Sequence, residues 1–331
     1  MQPPDFWYNQ RGSLLSALLA PAGWLYGLAG AIRQDRARPW QAPIPIVCVG
    51  NLVAGGQGKT PTALSIGTAL KAKGKNIQFL SRGYGGALTG PLLVDPASHT
   101  AQDVGDEPLL LADIAPTWVS VDRRAGVEAV HSMGAEIIVM DDGFQNPAVK
   151  KDLSIIVIDG EIGFGNGRLI PAGPLREGVA VGLSRAQAVV IIGEDRFKLH
   201  DALIEIAQSS NQPPVDIFSA KLKPDSAAAA LKDQKVYAFA GIGRPKKFFN
   251  TVLEIGADLV GAKTFDDHHP YTENEINTLL ATAKQEDATL VTTAKDHVRL
   301  SAALKKDVAI VTVTLDWTDA SALDSLLKAF V

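Results

Sequence analysis

Residues 45–70 read PIVCVGNLVAGGQGKTPTALSIGTAL, and the reading of this stretch decides the fold. Ile46-Val47-Cys48-Val49 is an apolar, β-branched run of the length expected for a buried strand. Gly50, Gly55, Gly56 and Gly58 then interrupt regular structure and allow close backbone approach. From Lys59 the pattern turns helical, with Leu64, Ile66 and Leu70 apolar and Gly74 placed as a C-cap. Strand, glycine-rich loop ending in Gly58-Lys59-Thr60, then helix is the layout of a phosphate-binding loop. Loop N–H groups and the helix N-terminus offer partial positive charge to a polyphosphate such as ATP. Lys59 is placed to reach the outer phosphates and the Thr60 hydroxyl to bind Mg²⁺. Pro61 costs little, because first-turn N–H groups have no helical partner. The strict pattern wants a glycine where Val53 stands. The plain alternative, a glycine-rich turn with a surface lysine, is outweighed by the flanking strand and helix and by a carboxylate partner downstream.

With 331 residues, 46% hydrophobic and 21% charged, the chain can build two domains with substantial cores. A formal net charge of −4 without a long basic stripe argues against broad nucleic-acid binding. The single cysteine, Cys48, cannot form an internal disulfide, and no Cys/His cluster has zinc-site spacing. Both observations favour a reducing compartment, most simply the cytoplasm.

Residues 13–32 (SLLSALLAPAGWLYGLAGAI) carry no charge and approach the length of a bilayer span. Arg11 precedes them, and Arg33, Arg36 and Arg38 follow. A cleaved signal peptide conflicts with the phosphate loop that comes next. A spanning helix is diluted by Pro21, Gly23, Gly27 and Gly30. A core-packed helix is the plain alternative. The preferred reading is an interfacial helix, with Trp24 and Tyr26 at headgroup depth and the arginines on anionic lipid.

Further segments suit the carboxyl edge of a parallel sheet, where ligands bind. Ile77-Gln78-Phe79-Leu80 opens into Ser81-Arg82-Gly83-Tyr84-Gly85-Gly86, making Arg82 and Tyr84 candidate substrate contacts, with a plain turn as the alternative. Asp106, in Gly105-Asp106-Glu107-Pro108, reads equally as a helix N-cap or as a general base for a hydroxyl. Ile137-Ile138-Val139-Met140 ending in Asp141-Asp142-Gly143 has the form of a Walker B element, whose carboxylate holds Mg²⁺ opposite the loop threonine. Asp141 is the preferred metal partner, with Asp142 adjacent and facing substrate. A loop as long as 163–177 is usually functional or disordered, and the ordered motifs on both sides favour function; it ends in Arg176 and Glu177. These two could serve transferring phosphate and metal, or equally form a structural ion pair. His268, in Asp267-His268-His269, could orient a carboxylate from another domain; a solvated loop histidine is the alternative.

A second set of β/α units begins at Val236 and includes a capping box at Thr272 and Glu275. Residues 218–224 read as a linker or edge element, residues 263–271 as a loop, and 308–313 as one apolar run. The expected class is α/β: two three-layer α/β/α sandwich domains, the first a P-loop-type parallel sheet, after an apolar membrane-associated helix. The boundaries follow as 1–40 for the helix, 41–215 for the P-loop domain and 216–331 for a smaller domain closing the cleft.

Taken together, VGNLVAGGQGKTP (49–61), SRGYGG (81–86), GDEP (105–108), DDGFQ (141–145), GNGRLIPAGPLRE (165–177) and DHH (267–269) resemble the tetraacyldisaccharide 4′-kinases of lipid A biosynthesis in Gram-negative bacteria. The order matches, most of the chain is covered, and the family's loop is itself non-standard where Val53 stands. One departure is Ala294, where a TTEKD-like stretch would carry an acidic residue. The resemblance implies transfer of the ATP γ-phosphate to the 4′-hydroxyl of tetraacyldisaccharide 1-phosphate, giving lipid IVA, at the cytoplasmic face of the inner membrane. It implies Asp106 as base with His268 as partner, Lys59 as a catalytic contact, and Asp141 and Asp142 as acidic metal-site residues. Gly55, Gly56, Gln57, Gly58, Lys59, Thr60 and Pro61 would contact ATP. Protein partners are left open. Two rivals are a switch ATPase or GTPase, which Ala54 and the lack of an NKxD sequence disfavour, and a kinase of a soluble metabolite.

Overall fold

The computed structural model describes residues 4–9 and 12–331, so Arg11 lies outside the described residues. The strands, in chain order, are β1 (Ile46–Gly50), β2 (Ile77–Ser81), β3 (Leu92–Leu93), β4 (Thr117–Val119), β5 (Ile137–Asp141), β6 (Leu153–Asp159), β7 (Ala188–Ile192) and β8 (Asp216–Pro224). There follow β9 (Lys235–Ala240), β10 (Asp258–Thr264), β11 (Thr289–Thr293), β12 (Ala309–Val311) and β13 (Val313–Trp317).

The first sheet runs β13-β8-β7-β6-β1-β5-β2-β4-β3, parallel from β8 to β4 with an antiparallel strand at each end. Along β1, Ile46 and Cys48 join one apolar cluster while Val47 and Val49 join the other. Alternation of side chains across a strand buried on both faces explains why its sequence is a continuous apolar run. Each such fully buried aliphatic side chain contributes about 1.5–3 kcal/mol. β1, β2, β5 and β6 all end at the same edge, so the phosphate loop, the SRGYGG loop, Asp141 and Asp159 are brought together there.

The second lobe holds a four-stranded parallel sheet, β10-β9-β11-β12. Val236, Ala238 and Ala240 of β9 pack on one side, with Phe248 and Val252 of the helix Pro245–Glu254. Phe239 packs on the other, with Ile276, Leu279 and Ala283 of the helix Glu273–Gln285. Three layers result, as expected. The capping box forms: Thr272 Oγ1 accepts from Glu275 N at 3.3 Å, and Glu275 Oε2 accepts from Thr272 N at 2.8 Å.

The boundary at 216 does not coincide with the sheets. β8 pairs with β7, and β13 pairs with β8, so residues 216–224 and 313–317 complete the first sheet. The helix Ala322–Leu327 packs there too, through Leu326 and Leu327. The second lobe is thus an insertion between β8 and β13. The apolar run 308–313 splits because Thr312 separates strands of different sheets. Its Oγ1 donates to Asp225 Oδ2 while its carbonyl accepts from Asp225 N at 3.1 Å, so the two crossings are tied together. Part of the predicted loop 263–271 is strand, because β10 lies at a sheet edge where few residues are buried and the apolar signal is weak.

Helix α1 (Leu14–Arg36) buries only Ser16 and Gly23, which excludes the core-packed reading. Leu14, Leu18 and Trp24 are 80%, 70% and 66% exposed. The helix is fastened to the long loop 163–177. Ser16 Oγ donates to the Ala172 carbonyl at 2.6 Å, and Arg168 Nη1 donates to the Ser16 carbonyl at 2.9 Å. At its other end, Gln34 Nε2 donates to the Gln145 carbonyl at 3.0 Å. Glycine is needed at 23, since a Cβ there would lie 2.9 Å from the Leu169 carbonyl oxygen. By length and composition α1 is also sufficient to cross a membrane.

Candidate active site between the two lobes

The phosphate loop joins β1 to helix α2 (Lys59–Ala72). Gly58 caps the helix at φ +89°, a conformation that glycine adopts without strain, and a Cβ there would strike Ile192 Cδ1 at 2.5 Å. Asn51 Nδ2 braces the loop from within by donating to the carbonyls of Val53 at 2.5 Å and Gly55 at 3.3 Å. Gln57 is buried and accepts through Oε1 from the Asp159 amide at 2.9 Å, so it anchors the loop to β6. Lys59 Nζ donates to the Gly55 carbonyl at 3.4 Å and lies 3.7 Å from Asp142 Oδ2.

Asp141 ends β5 at 2% exposure. Its Oδ2 accepts from Thr60 Oγ1 at 3.1 Å, whereas its buried Oδ1 has no hydrogen-bond partner. Burial, and then the neighbouring Asp142 charge, push its carboxyl up to about 7. An orphaned carboxylate oxygen beside a threonine hydroxyl is a hard-oxygen donor pair that fits Mg²⁺, an ion usually held by one or two carboxylates plus phosphate and water. Asp142 turns the other way, at φ +54°. It is bound by Arg176 Nη1 at 2.9 Å on Oδ1 and by Nη2 at 3.4 Å on Oδ2. Burial alone would raise its carboxyl, but Lys59 and Arg176 hold it below the usual range. Glu177 faces away from these acids, onto Arg185 Nη2 and onto Gln145 Nε2 at 3.1 Å. Arg176 and Glu177 thus each sit in an ion pair, with Asp142 and Arg185, and not with one another.

Asp106 is the first residue of the helix Asp106–Ala112, with Gly105 as N-cap, so the N-cap reading of Asp106 does not hold. The carboxylate instead reaches the other lobe. Its Oδ2 meets His268 Nδ1 at 2.8 Å, Arg299 Nε at 3.0 Å and Arg299 Nη2 at 2.5 Å. Burial works to raise the Asp106 carboxyl, but these bonds keep it down at about 2. An ionised carboxylate only accepts, so Nδ1 carries the histidine proton. The bond to Asp106 raises His268 above the ordinary imidazole value. His268 sits at φ +59°, its amide donating to the Gly241 carbonyl at 3.0 Å, and Tyr84 meets its ring edge-on at 5.9 Å between centroids. Arg82 is exposed.

Sequence reasoning missed the second lobe's cations. Lys295 Nζ is paired with Glu107 Oε1 and lies close enough to Lys59 and Asp141 to act on both electrostatically. Arg299 follows one turn later. The available signal was Ala294-Lys295-Asp296 at the end of β11, an active-edge position like that of Asp141. Arg123 was missed as well; it is buried, donates to the Ser81 carbonyl at 3.0 Å and leaves Nε without a partner. A clasp also joins the lobes: Arg244 Nη1 donates to Asp159 Oδ2 at 2.6 Å, Nη2 to Glu161 Oε2 at 2.6 Å, and Lys247 Nζ to Asp159 Oδ2 at 3.1 Å.

A phosphate loop, a buried carboxylate beside the loop threonine and an ionised carboxylate paired with histidine together suit phosphoryl transfer to a hydroxyl. Comparison with known proteins agrees. The sequence profile described as tetraacyldisaccharide-1-P 4'-kinase matches residues 15–331. The chain is 51% identical over 331 residues to the tetraacyldisaccharide 4'-kinase of Rhodospirillum centenum, covering 99% of this chain and 96% of that protein. It is 49% identical to the protein of the same name from Paramagnetospirillum magneticum, with 98% of each covered. In structure it is similar to LpxK from Aquifex aeolicus in complex with ATP, at a TM-score of 0.75 and 25% identity, covering 96% of this chain and 99% of the other.

Proposed function

The chain belongs to the tetraacyldisaccharide 4′-kinase family, and from that premise we propose how its residues carry the reaction. The enzyme binds ATP and transfers its γ-phosphoryl group to the 4′-hydroxyl of tetraacyldisaccharide 1-phosphate in lipid A biosynthesis. A bond forms between the sugar oxygen and γ-phosphorus as the bond to the ADP oxygen breaks, and the hydroxyl proton needs an acceptor. In this reading Asp106 takes that proton and His268 orients the carboxylate. Loop amides of residues 55–60 and the start of α2 cradle the phosphates. Lys59 and Arg176, both held beside the loop by Asp142, neutralise the phosphate charge. Thr60 and Asp141 would hold Mg²⁺, which supplies charge neutralisation at the phosphate oxygens.

The single observation that carries the site assignment is the 2.8 Å bond between Asp106 of one lobe and His268 of the other. It forms beside Lys295, a second-lobe cation that acts electrostatically on Lys59 of the phosphate loop. Closure of such a cleft keeps water from the transferring group. Membrane contact at the cytoplasmic face belongs to the same proposal: the exposed Leu14, Leu18 and Trp24 of α1 supply an apolar face for a bilayer that holds an acylated substrate. Tyr84, which meets the His268 ring, and the exposed Arg82 two residues before it are assigned to the sugar headgroup.

The test is ADP release from ATP and Mg²⁺, with and without tetraacyldisaccharide 1-phosphate in mixed micelles, for the native protein, Asp106→Ala and Lys59→Ala. Lipid-dependent turnover lost in both variants supports the assignment. Full turnover in Asp106→Ala refutes the proton-acceptor role. A vesicle flotation series of Leu14→Ser, Leu18→Ser and Trp24→Ser tests the helix, which the reading expects to leave the membrane fraction.

A further inference from the structure

Arg299 has the geometry of a device that holds the catalytic pair together. Its side chain is 5% exposed and spans two carboxylates. Nε and Nη2 lie on Asp106 Oδ2, while Nη1 donates to Asp296 Oδ1 at 3.0 Å and to the Gly241 carbonyl at 2.8 Å. Asp296 is fully buried and is itself fixed, accepting from the Gly241 amide at 2.9 Å, Tyr271 Oη at 2.8 Å and Thr293 Oγ1 at 2.6 Å. Gly241 also accepts from the His268 amide. One guanidinium therefore ties the first lobe's Asp106 to the same Gly241 that anchors the second lobe's His268. A lysine could not replace it, because the fork makes bonds in several fixed directions.

We propose that Arg299 is the positioning residue of the Asp106–His268 pair, fixing Oδ2 of Asp106 and leaving Oδ1 to the substrate hydroxyl. The proposal rests on Asp106 being the proton acceptor. Among the described residues Oδ1 has no hydrogen-bond partner, whereas Oδ2 accepts three bonds. The charged and titratable groups around Asp106 are His268, Asp267 and Tyr271 from the loop before the capped helix, Lys295, Asp296 and Arg299 after β11, and Glu107 beside it. Arg299 acts on the pair with two signs. It keeps Asp106 ionised, and its positive charge opposes protonation of His268. Both effects follow from its charge, whereas the fixing of Oδ2 follows from the fork, so the two can be tested separately.

The experiment compares the native full-length enzyme with Arg299→Gln and Arg299→Lys, using labelled-histidine NMR titration of His268 and the pH dependence of kcat/KM in lipid micelles. Arg299→Gln is expected to lower kcat about 10²-fold, the loss typical of a mispositioned catalytic group, with KM for ATP little changed. Its His268 titration moves to higher pH, and an acid limb absent from the native profile enters the mildly acidic range. Arg299→Lys restores the charge without the fork, so the His268 titration returns toward the native position while kcat stays low. A kcat for Arg299→Gln within about threefold of native overturns the proposal, whether or not the His268 titration moves. If Arg299→Gln does not fold, Arg299→Lys decides: native kcat in that variant also overturns it. Retained turnover in Asp106→Asn would instead sink the proton-acceptor reading itself, so the two failures are distinguishable.

Discussion

Asp141→Asn should make the nucleotide-free, chelator-treated protein more stable while abolishing turnover. The Asp141 carboxylate is buried, with one oxygen unpartnered, and burial followed by the Asp142 charge moves it from 3.8 to about 7. The sign follows from linkage. A carboxyl whose folded value is raised binds its proton more tightly when folded, so the penalty is absent below about pH 4 and grows as pH rises. It is fully present above about pH 7. At about 1.4 kcal/mol per pH unit, the rise is worth about 4 kcal/mol of destabilisation at pH 8. Asparagine keeps an acceptor for Thr60 and removes the charge. Thermal unfolding in EDTA should then show the variant's first-lobe midpoint higher on the order of 10 °C at pH 8, with the gap closing near pH 4.5. Adding Mg²⁺ to the ATP-saturated protein should raise the native midpoint further and leave the variant's unchanged. A gap that does not grow with pH, or native Mg²⁺ stabilisation in the variant, would refute the reasoning.

Gly67→Ala on α2 puts a Cβ 2.3 Å from Phe79 Cζ, a fully buried ring, and overpacking there should cost about 1–3 kcal/mol by chemical denaturation despite the gain in helix propensity. Thr272→Ala removes the capping-box hydroxyl and should cost about 1 kcal/mol, read as faster amide exchange in the first turn of the helix Glu273–Gln285. A double-mutant cycle of Asp159→Asn and Arg244→Gln, followed by urea unfolding, should return a coupling of about 1–2 kcal/mol for their 2.6 Å contact, and a coupling near zero would mean the clasp is not formed in solution.

Much of this was readable from the chain. β1, the phosphate loop and α2 were legible because a strand buried on both faces leaves an uninterrupted apolar run, and because a backbone that must meet phosphate needs glycine. Asp141 was legible as a strand-end acid. The insertion of the second lobe was not: β8 alternates buried and exposed residues weakly, with only Ala220 buried, so its run reads as a linker or edge element. β12 and β13 are separated by a single threonine, and nothing local says that the chain changes sheets there. Asp106 and His268 could be joined only through the family resemblance, since 162 residues separate them and each alone is an ordinary polar loop residue. Arg299 carries no motif at all. Its role depends on the packing of two lobes, which no local pattern encodes.

The placement of β13 also sets an order of events during synthesis. The first sheet is laid down through β8 and then waits for its outer strand until the whole second lobe has been made. Trp317 Nε1 must then reach Ser65 Oγ, 252 residues earlier in the chain, at 2.9 Å. Until it does, β8 is an open edge able to pair with another chain. A chain released just before residue 313 would therefore present a folded second lobe beside an unsealed first one, and such premature termination should yield an aggregating product rather than a merely inactive kinase.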